Sequence, residues 1–257
     1  HNKRTTGLTQ EQFNTLATAL NQHLTWNKPA VRPRALSLNQ ALKITLLYLR
    51  HNSTEEDLAD RFSVSQPTIS RTIHRIENAL LELEELKTPE LESLKKYTGS
   101  LVVDGTLIPV WNWASQGSTL FSGKHKRTGY NHQVICTLGG KLLAITDPVP
   151  GARHDVYAYR FHRLERFLNE TTLADKGYIG LGLLTPTKRK AGVKMRVAAK
   201  KNNRQINRLR SVVERTIAQI KTWRVLHAGF RRPLSSYGRV FSVVRSLIFF
   251  AAGTPYE

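Results

Sequence analysis

The stretch Leu101-Val-Val-Asp-Gly105 marks the point at which the pattern of this chain changes. Before it, apolar residues recur at helical spacing. After it, short runs rich in β-branched and aromatic residues are separated by Gly, Asn or Ser, which predicts a meander of three or four strands. The predicted strands cover residues 101–104, 107–113, 133–138 and 141–146.

Alternating helices and strands are predicted to follow the meander. Helical spacing is found in 154–168, 204–223 and 240–252, short buried strands are predicted at 171–175 and 181–185, and 187–203 is a basic loop. Strands followed by alternating helices and strands describe an α/β domain with a mixed sheet. We therefore predict one α/β domain over residues 100–257.

The part before the meander, residues 1–95, is predicted to be an all-α domain. Helical spacing covers 9–24 and 38–50. The sequence Ser53-Thr-Glu-Glu56 has the form of a capping box, 63–65 is typical of a turn, and Pro67 suits the first turn of a further helix. Two helices joined by a tight turn predict a helix-turn-helix at about 53–84, whose second helix would enter a major groove of DNA.

Polar and basic residues are predicted on the outer side of this second helix, where they would contact DNA. They are Gln66, Thr68, Ser70, Arg71, His74 and Arg75. Short helical pairs are also common in α-rich domains that bind no DNA, and the pattern alone leaves that interpretation open.

Positive charge is unevenly distributed along the 257 residues, whose formal net charge is +20. Residues 1–99 contain 13 basic and 11 acidic residues, and the remainder contains 26 basic and 8 acidic ones. Between residues 176 and 232, 16 basic residues accompany a single acid, Glu214. Such a surface is expected to follow a phosphate backbone, although an RNA-binding or membrane-surface protein would also be basic.

Cysteine content and hydropathy exclude several protein classes. The one cysteine, Cys136, excludes a disulfide framework and a multi-cysteine zinc site, and fits a reducing compartment. No apolar run approaches the roughly 18 residues of a membrane span. The N-terminus lacks a signal-peptide pattern, and the only methionine is Met195, so we expect that the natural start has been removed.

Three of the eight acids in the second part are placed for metal binding. Asp104 and Asp175 end predicted strands, where carboxylates project into the crevice beside a sheet. Glu214 shares one face of a predicted helix with Arg210 and Lys221. Carboxylates brought together repel one another unless cations compensate, and oxygen ligands suit Mg²⁺ or Mn²⁺. A pair of such ions would support in-line phosphoryl displacement.

These motifs resemble, in this order, the DDE transposases of bacterial insertion sequences, especially the branch related to eukaryotic Harbinger elements. The matching residues are Asp104-Gly-Thr, Phe121-Ser-Gly-Lys-His-Lys-Arg127, Pro150-Gly-Ala-Arg-His-Asp-Val156, Asp175-Lys-Gly-Tyr178 and Arg210-x3-Glu214-x6-Lys221. The resemblance covers about residues 36–250. One position departs from the family pattern: Asn207 stands where a tyrosine is frequent, which puts a tyrosine contact to DNA phosphate in doubt.

The resemblance implies a ribonuclease-H-like catalytic domain that cleaves transposon ends and transfers the strands to target DNA. It implies that Asp104, Asp175 and Glu214 hold two Mg²⁺ ions, for which Mn²⁺ can substitute. The helical domain would recognise the DNA ends, and a homodimer on double-stranded DNA would pair them. The expected location is the cytoplasm of a bacterium, at the nucleoid.

Basic residues around the catalytic site are expected to touch the DNA backbone. They are Lys124, Lys126, Arg127, Arg153, His154, Arg210 and Lys221. For the first three of these a solvated loop is the alternative, and for the last two a simple ion pair with Glu214.

Some positions keep a second interpretation. Asp155 competes with Asp175 for the second metal-binding place, but it begins a predicted helix, where aspartate commonly caps free amides. His154 could be a metal ligand, a phosphate contact or a structural histidine. Trp111 and Trp113 are expected in the core, with stacking on an exposed base as the alternative.

Two other functions fit the same motifs. One is a metal-dependent endonuclease domesticated from a transposase, which would cut DNA without joining it. The other is a DNA-binding regulator with an inactive catalytic fold. The presence of all three acids argues against the regulator, because a retired site has no physical reason to retain them.

Overall fold

A computed structural model describes residues 3–27, 29, 32–111, 118–189 and 191–253. The chain packs as two compact units. The helical unit consists of His1–Thr88 together with Lys221–Glu257, and the sheet unit consists of Pro89–Ile220. These units divide the chain differently from the predicted domains, because the C-terminal segment packs with the N-terminal helices.

Eight α-helices and five strands form the two units within the described residues. The helices are α1 (Lys3–Thr6), α2 (Gln10–His23), α3 (Leu38–His51), α4 (Glu55–Phe62), α5 (Gln66–Glu82), α6 (Asp155–Phe161), α7 (Val197–Ile220) and α8 (Tyr237–Ala252). The strands are β1 (Leu101–Pro109), β2 (Phe121–Ser122), β3 (Arg127–Thr137), β4 (Leu142–Ile145) and β5 (Val149–Pro150). None of these helices is long and apolar enough to cross a bilayer.

Local capping fixes where the helices of the helical unit begin. Thr9 and Ser37 each accept a hydrogen bond from the backbone amide three residues later, and the glutamine at that position bonds back to the cap, so α2 and α3 begin with capping boxes. The predicted helices at 9–24 and 38–50 are thus confirmed. α4 is capped by Thr54, whose hydroxyl accepts from the Asp57 amide at 3.1 Å. The predicted cap at Ser53 is therefore wrong by one residue.

The predicted helix-turn-helix is present as α4, the turn 63–65 and α5. The turn closes because Ser63 adopts a left-handed conformation with φ of 53°. Ile69, Ile73 and Ile76 of α5 are at most 1% exposed and form its buried face, as the apolar spacing predicts. α5 packs against α3 and α4, and α8 closes the unit by packing against α5.

The sheet unit is organised around β3, which pairs antiparallel with each of the other four strands. Beyond β1, Val102 forms a parallel bridge with Leu173, which also bridges Leu184 in parallel. The five-stranded sheet is therefore antiparallel, with parallel pairing limited to these isolated bridges, and it has helices packed against it, as expected for an α/β domain. The predicted strands at 171–175 and 181–185 are reduced to these bridging residues.

β1 is longer than predicted, and this changes the position of Asp104. The predicted runs at 101–104 and 107–113 are one strand that continues to Pro109. Asp104 lies inside this strand, opposite Val134 of β3, and not at a strand end. Because successive residues of a strand point to opposite faces, Asp104 and Gly105 face different sides of the sheet.

Two helices of the sheet unit position the site. α7 packs against β1 and β3 through a buried stripe that includes Ile206, Val213 and Ile220. It begins at Val197, earlier than the predicted residue 204, and Leu209, which its spacing from Ile206 and Val213 would place in the same stripe, is 48% exposed. α6 packs against β3, where Tyr159 enters an apolar cluster with Tyr178.

Candidate active site

Asp104 lies between the sheet and α7. Its side chain is 16% exposed, and Arg210 of α7 donates through Nη2 to Oδ2 of Asp104 at 3.4 Å. Burial raises the pKa of the Asp104 carboxyl to about 6; the charge of Asp175 adds to this rise, whereas the charges of Arg210 and Lys124 oppose it. Asp104 is therefore a carboxylate whose ionisation is costly unless positive charge is close by.

Asp175 is held at the start of a 3₁₀ turn, Lys176–Tyr178, directly after the bridge at Leu173. Its Oδ1 accepts from the Gly177 amide at 2.6 Å, which fixes the carboxylate. Because its charge acts on Asp104, two carboxylates that are distant in the sequence share one electrostatic neighbourhood.

Asp155 is the third carboxylate near this place, and both of its oxygens have partners. Oδ2 accepts from Lys124 Nζ at 2.9 Å, and Oδ1 accepts from Asn131 Nδ2 at 2.9 Å. Burial by itself would raise the pKa of Asp155, but these hydrogen bonds and the Lys124 charge outweigh burial and lower it. Asp155 is the first residue of α6, whose cap position belongs to His154.

A buried chain of hydrogen bonds supports Asp155. The Tyr178 hydroxyl donates to Gln133 Oε1 at 2.5 Å, and Gln133 Nε2 donates to Asn131 Oδ1 at 3.3 Å. Tyr178 and Gln133 are fully buried, so these bonds have no competition from solvent. No motif of the sequence assigns a role to Asn131 or Gln133. Their signal is two amide side chains, two residues apart, in the middle of β3 and directly before its apolar end.

A cleft of about 390 Å³ opens beside these carboxylates. It brings together three of the residues predicted to bind DNA: Lys124, Arg153 and His154. Asp155 and Asp175 line the same cleft. Its wall thus combines cationic groups with two carboxylates, as a site for a phosphate and a cation requires.

Three other predicted backbone contacts, Lys126, Arg127 and Lys221, do not line this cleft. Lys126 and Arg127 are exposed where β3 begins, and Lys126 has a left-handed φ of 52°. Lys221 follows the last residue of α7 and belongs to the helical unit.

Glu214 is exposed on α7, one turn after Arg210. Within the described ranges, no three His, Cys, Asp or Glu side chains are grouped closely enough to hold one metal ion. The role of Glu214 as a third ligand stays a prediction.

The residues predicted to face DNA from α5 differ in their surroundings. Arg71 and His74 are exposed, and Ser70 is half-buried. Gln66 donates to Glu55 of α4, and the Thr68 hydroxyl is 2.9 Å from that of Ser65. Arg75 stacks on Trp26 instead of extending outward, with its guanidinium carbon 5.3 Å from the ring centroid.

Trp111 is 58% exposed, so its predicted place in the core is wrong. It follows the last residue of β1 closely, where the chain leaves the sheet. Trp113 lies outside the described residues.

The carboxylates fit a hard divalent cation. Asp104 and Asp175 supply oxygen donors, and the raised pKa of Asp104 shows that burial and a neighbouring carboxylate disfavour its charge. A cation between them would relieve both effects.

Comparison with known proteins identifies the family. The model for the DDE superfamily endonucleases matches residues 103–248, and the model for the helix-turn-helix of DDE superfamily endonucleases matches residues 34–83. These matches confirm the predicted family and the helix-turn-helix, whereas membership of the Harbinger-related branch stays a prediction. Enzymes of this superfamily depend on a metal ion, usually Mg²⁺.

Two relatives match most of the chain. One, described as a putative transposase for insertion sequence element IS112 of Streptomyces albus G, is 30% identical over 86% of this chain and 83% of the relative. The other, a probable transposase for insertion sequence element IS702 of Microchaete diplosiphon, is 26% identical over 92% of this chain and 88% of the relative. With its helix-turn-helix, its antiparallel sheet flanked by helices and these matches, this chain belongs to the DDE superfamily endonucleases.

Proposed function

We propose that this protein is a DNA transposase that binds the ends of an insertion sequence, cuts a phosphodiester there and joins the freed end to target DNA. The observation that carries the proposal is that the charge of Asp175 acts on the buried Asp104, while Asp175 itself lines a cleft with Lys124, Arg153 and His154. The similarity to two proteins described as insertion-sequence transposases supports it.

Asp104 and Asp175, with Glu214, would hold two Mg²⁺ ions, for which Mn²⁺ can substitute. When bound, the ions supply stabilisation of the attacking and leaving oxygens of an in-line displacement. Glu214 suits this role because residues four apart on a helix are neighbours, and Arg210, one turn earlier, reaches Asp104.

The cationic residues have separate tasks in this proposal. Arg210 pairs with Asp104 and fixes the direction of its carboxylate. Lys124, whose side chain is 52% exposed, reaches a DNA phosphate from the cleft wall. Arg153 is held against the Tyr157 ring, with its guanidinium carbon 4.8 Å from the centroid, and offers a second phosphate contact.

Asp155 acts as a positioning residue and not as a metal ligand. Both of its oxygens already accept hydrogen bonds from Lys124 and Asn131, whereas within the described part of the chain the Asp175 carboxylate accepts a hydrogen bond only from the Gly177 amide. Its task is to hold the Lys124 ammonium at the cleft.

Two chemical steps use the same carboxylates. A water molecule first attacks the phosphodiester at the end of the element, and the freed 3′-hydroxyl then attacks target DNA. Both steps need the attacking and leaving oxygens in line with the phosphorus, so one set of residues serves twice. Because two ends must be brought together, we propose that a homodimer acts on the DNA, at the nucleoid of a bacterial cell.

The test is an assay with labelled DNA carrying the inverted repeats that flank the gene, a target plasmid and Mg²⁺. We expect cleavage at the ends and joined products from the wild-type protein, and neither product from Asp104→Asn. Cleavage without joining would indicate an endonuclease. Binding without cleavage would indicate a DNA-binding regulator and would refute the proposal.

A further inference from the structure

A second basic cleft, of about 260 Å³, lies in the helical unit beside α5. It is separate from the carboxylate site, and three of its residues are arginines. The lining residues are Trp26, Arg34, Ala35, Leu36, Thr68, Arg71, Thr72 and Arg75. None of them is acidic.

Two of these arginines stack on the indole ring of Trp26. The indole is 7% exposed, and its Nε1 donates to the Leu36 carbonyl at 2.8 Å. The guanidinium carbons of Arg34 and Arg75 lie 5.0 and 5.3 Å from the ring centroid. Stacking on an indole holds a guanidinium plane in place without using its N–H groups.

Backbone carbonyls complete the fixation of the three arginines. Arg34 Nε donates to the Trp26 carbonyl at 2.8 Å, Arg75 Nη2 to the Thr25 carbonyl at 3.0 Å, and Arg71 Nε to the Pro67 carbonyl at 3.0 Å. A guanidinium has five N–H donors, so one such bond leaves several for a ligand. Each arginine is therefore oriented in advance and keeps donors to offer.

This cleft brings the positive charges of three arginines together. Burial and the neighbouring charge of Arg34 lower the pKa of the Arg75 guanidinium. No carboxylate of the described part of the chain forms an ion pair with Arg34, Arg71 or Arg75. An anion with several oxygen acceptors would relieve this repulsion.

We propose that this cleft binds one backbone phosphate of duplex DNA and thereby sets the position of α5 in the major groove. The inference rests on the proposed recognition of DNA by the helix-turn-helix. Phosphate contacts fix the register of a protein on the duplex and carry no base information. Arg75 thus acts as a positioning residue for α5, while the exposed His74 remains available for base edges.

The first test measures binding of the full chain to a duplex selected by the protein from random sequences, over a range of salt concentrations. Arg34→Gln and Arg75→Gln remove the charge and leave a shorter polar side chain. For each variant we expect roughly tenfold weaker binding and a slope of log K against log salt that is smaller by about 0.9, the contribution of one phosphate. The preference for the selected duplex over an unrelated one stays unchanged.

A matched control and a direct probe sharpen the result. Lys87→Gln removes a cation that is already paired with Glu84 and should leave the slope unchanged. Replacing single phosphates of the duplex by neutral methylphosphonates should weaken wild-type binding at each contacted position, and at one of these positions it should have no effect in Arg34→Gln. This coupling would identify the phosphate that the cleft contacts.

Different failures have different meanings. If both glutamine variants keep the wild-type slope, or melt at a lower temperature without a change in slope, the arginines are structural and the phosphate site is refuted. A loss restricted to the selected sequence would show base reading and would refute it as well. Failure of the wild-type protein to bind any duplex would refute this site together with the proposed function, whereas absence of cleavage alone would affect only the latter.

Discussion

Gly105 and Asp155 approach each other so closely that a methyl group on Gly105 would lie 2.0 Å from Oδ1 of Asp155. Gly105 faces the side of the sheet opposite to its neighbour Asp104. The glycine after Asp104 is therefore explained by Asp155, because the hydrogen bond from Asn131 holds the carboxylate where a side chain would begin.

Gly105→Ala should displace Asp155 and disturb its bonds to Lys124 and Asn131. We expect a loss of about 10²-fold in the cleavage rate, because a misplacement of about 1 Å costs a reaction roughly this much, and a destabilisation of about 1–3 kcal/mol from overpacking. Single-turnover cleavage and thermal melting measure the two effects. Gly123→Ala is the control, because a Cβ at that position meets no atom within 4 Å. Wild-type cleavage by Gly105→Ala would contradict the role of this contact.

The bond between Asp155 and Lys124 predicts a specific pattern of non-additive effects. If Asp155 acts by holding Lys124, the double variant Asp155→Asn with Lys124→Ala should cleave no more slowly than Lys124→Ala alone. Single-turnover rates of the four proteins give the coupling. Binding of Mn²⁺ should survive in Asp155→Asn, and its loss there would show that Asp155 is a metal ligand.

The raised pKa of Asp104 predicts how pH affects stability in the absence of divalent ions. Because the folded carboxyl has a pKa of about 6, above its ordinary value of 3.8, the folded state binds the proton more tightly than the unfolded state. The contribution of the Asp104 carboxyl to the free energy of unfolding is therefore fully present below about pH 4 and is lost as the pH rises through 6. Asp104→Asn should remove this loss and stabilise the protein above pH 6 by on the order of 3 kcal/mol, since each pKa unit corresponds to about 1.4 kcal/mol. Unfolding in urea at pH 5 and pH 8, without divalent ions, measures the difference.

Divalent ions should reverse this effect in the wild-type protein. Mg²⁺ binds the ionised carboxylate, so it should raise the melting temperature more at pH 8 than at pH 5. Asp104→Asn should respond much less at either pH. An equal response of both proteins would place the ion elsewhere.

A buried ion pair predicts which arginine stabilises the helical unit. Glu77 of α5 is fully buried and accepts from Arg232 Nη1 at 2.6 Å, while Arg239 Nε lies 3.9 Å from its other oxygen. Arg232→Met should destabilise the protein by about 3–5 kcal/mol, because it leaves a buried carboxylate poorly compensated. Adding Glu77→Gln should recover part of this loss in urea unfolding. Lys87→Ala, which removes an exposed partner of Glu84, should change stability by about 0.5 kcal/mol or less.

The arginines of the basic stretch therefore have unequal roles, which composition alone does not reveal. Arg232 pairs with a buried acid and Arg210 with a carboxylate of the site. Helix propensity explains the early start of α7 at Val197. Alanine and lysine are good helix formers, so the end of the run predicted as a basic loop is the first part of the helix.

Sequence patterns singled out Asp104 and Asp175, which the structure brings into one electrostatic neighbourhood, but not the side chains around them. Both aspartates stand out in the sequence because short apolar runs precede them. The amides of Asn131 and Gln133 could not be predicted, because their partners depend on the register of β3 with β1 and on the fold of the Asp175 turn. The packing of α8 against α5 could not be predicted either, because the sequence of an apolar helix does not specify the surface against which it packs.

The cleavage rate of Asp175→Asn, compared with that of Asp155→Asn in Mg²⁺ under single-turnover conditions, tests the central claim most directly. If Asp175 holds the metal ion and Asp155 holds Lys124, Asp175→Asn should yield no detectable cleavage while still binding DNA. Asp155→Asn should keep a measurable rate, reduced by about 10- to 100-fold. Cleavage that survives in Asp175→Asn and is abolished in Asp155→Asn would contradict the assignment.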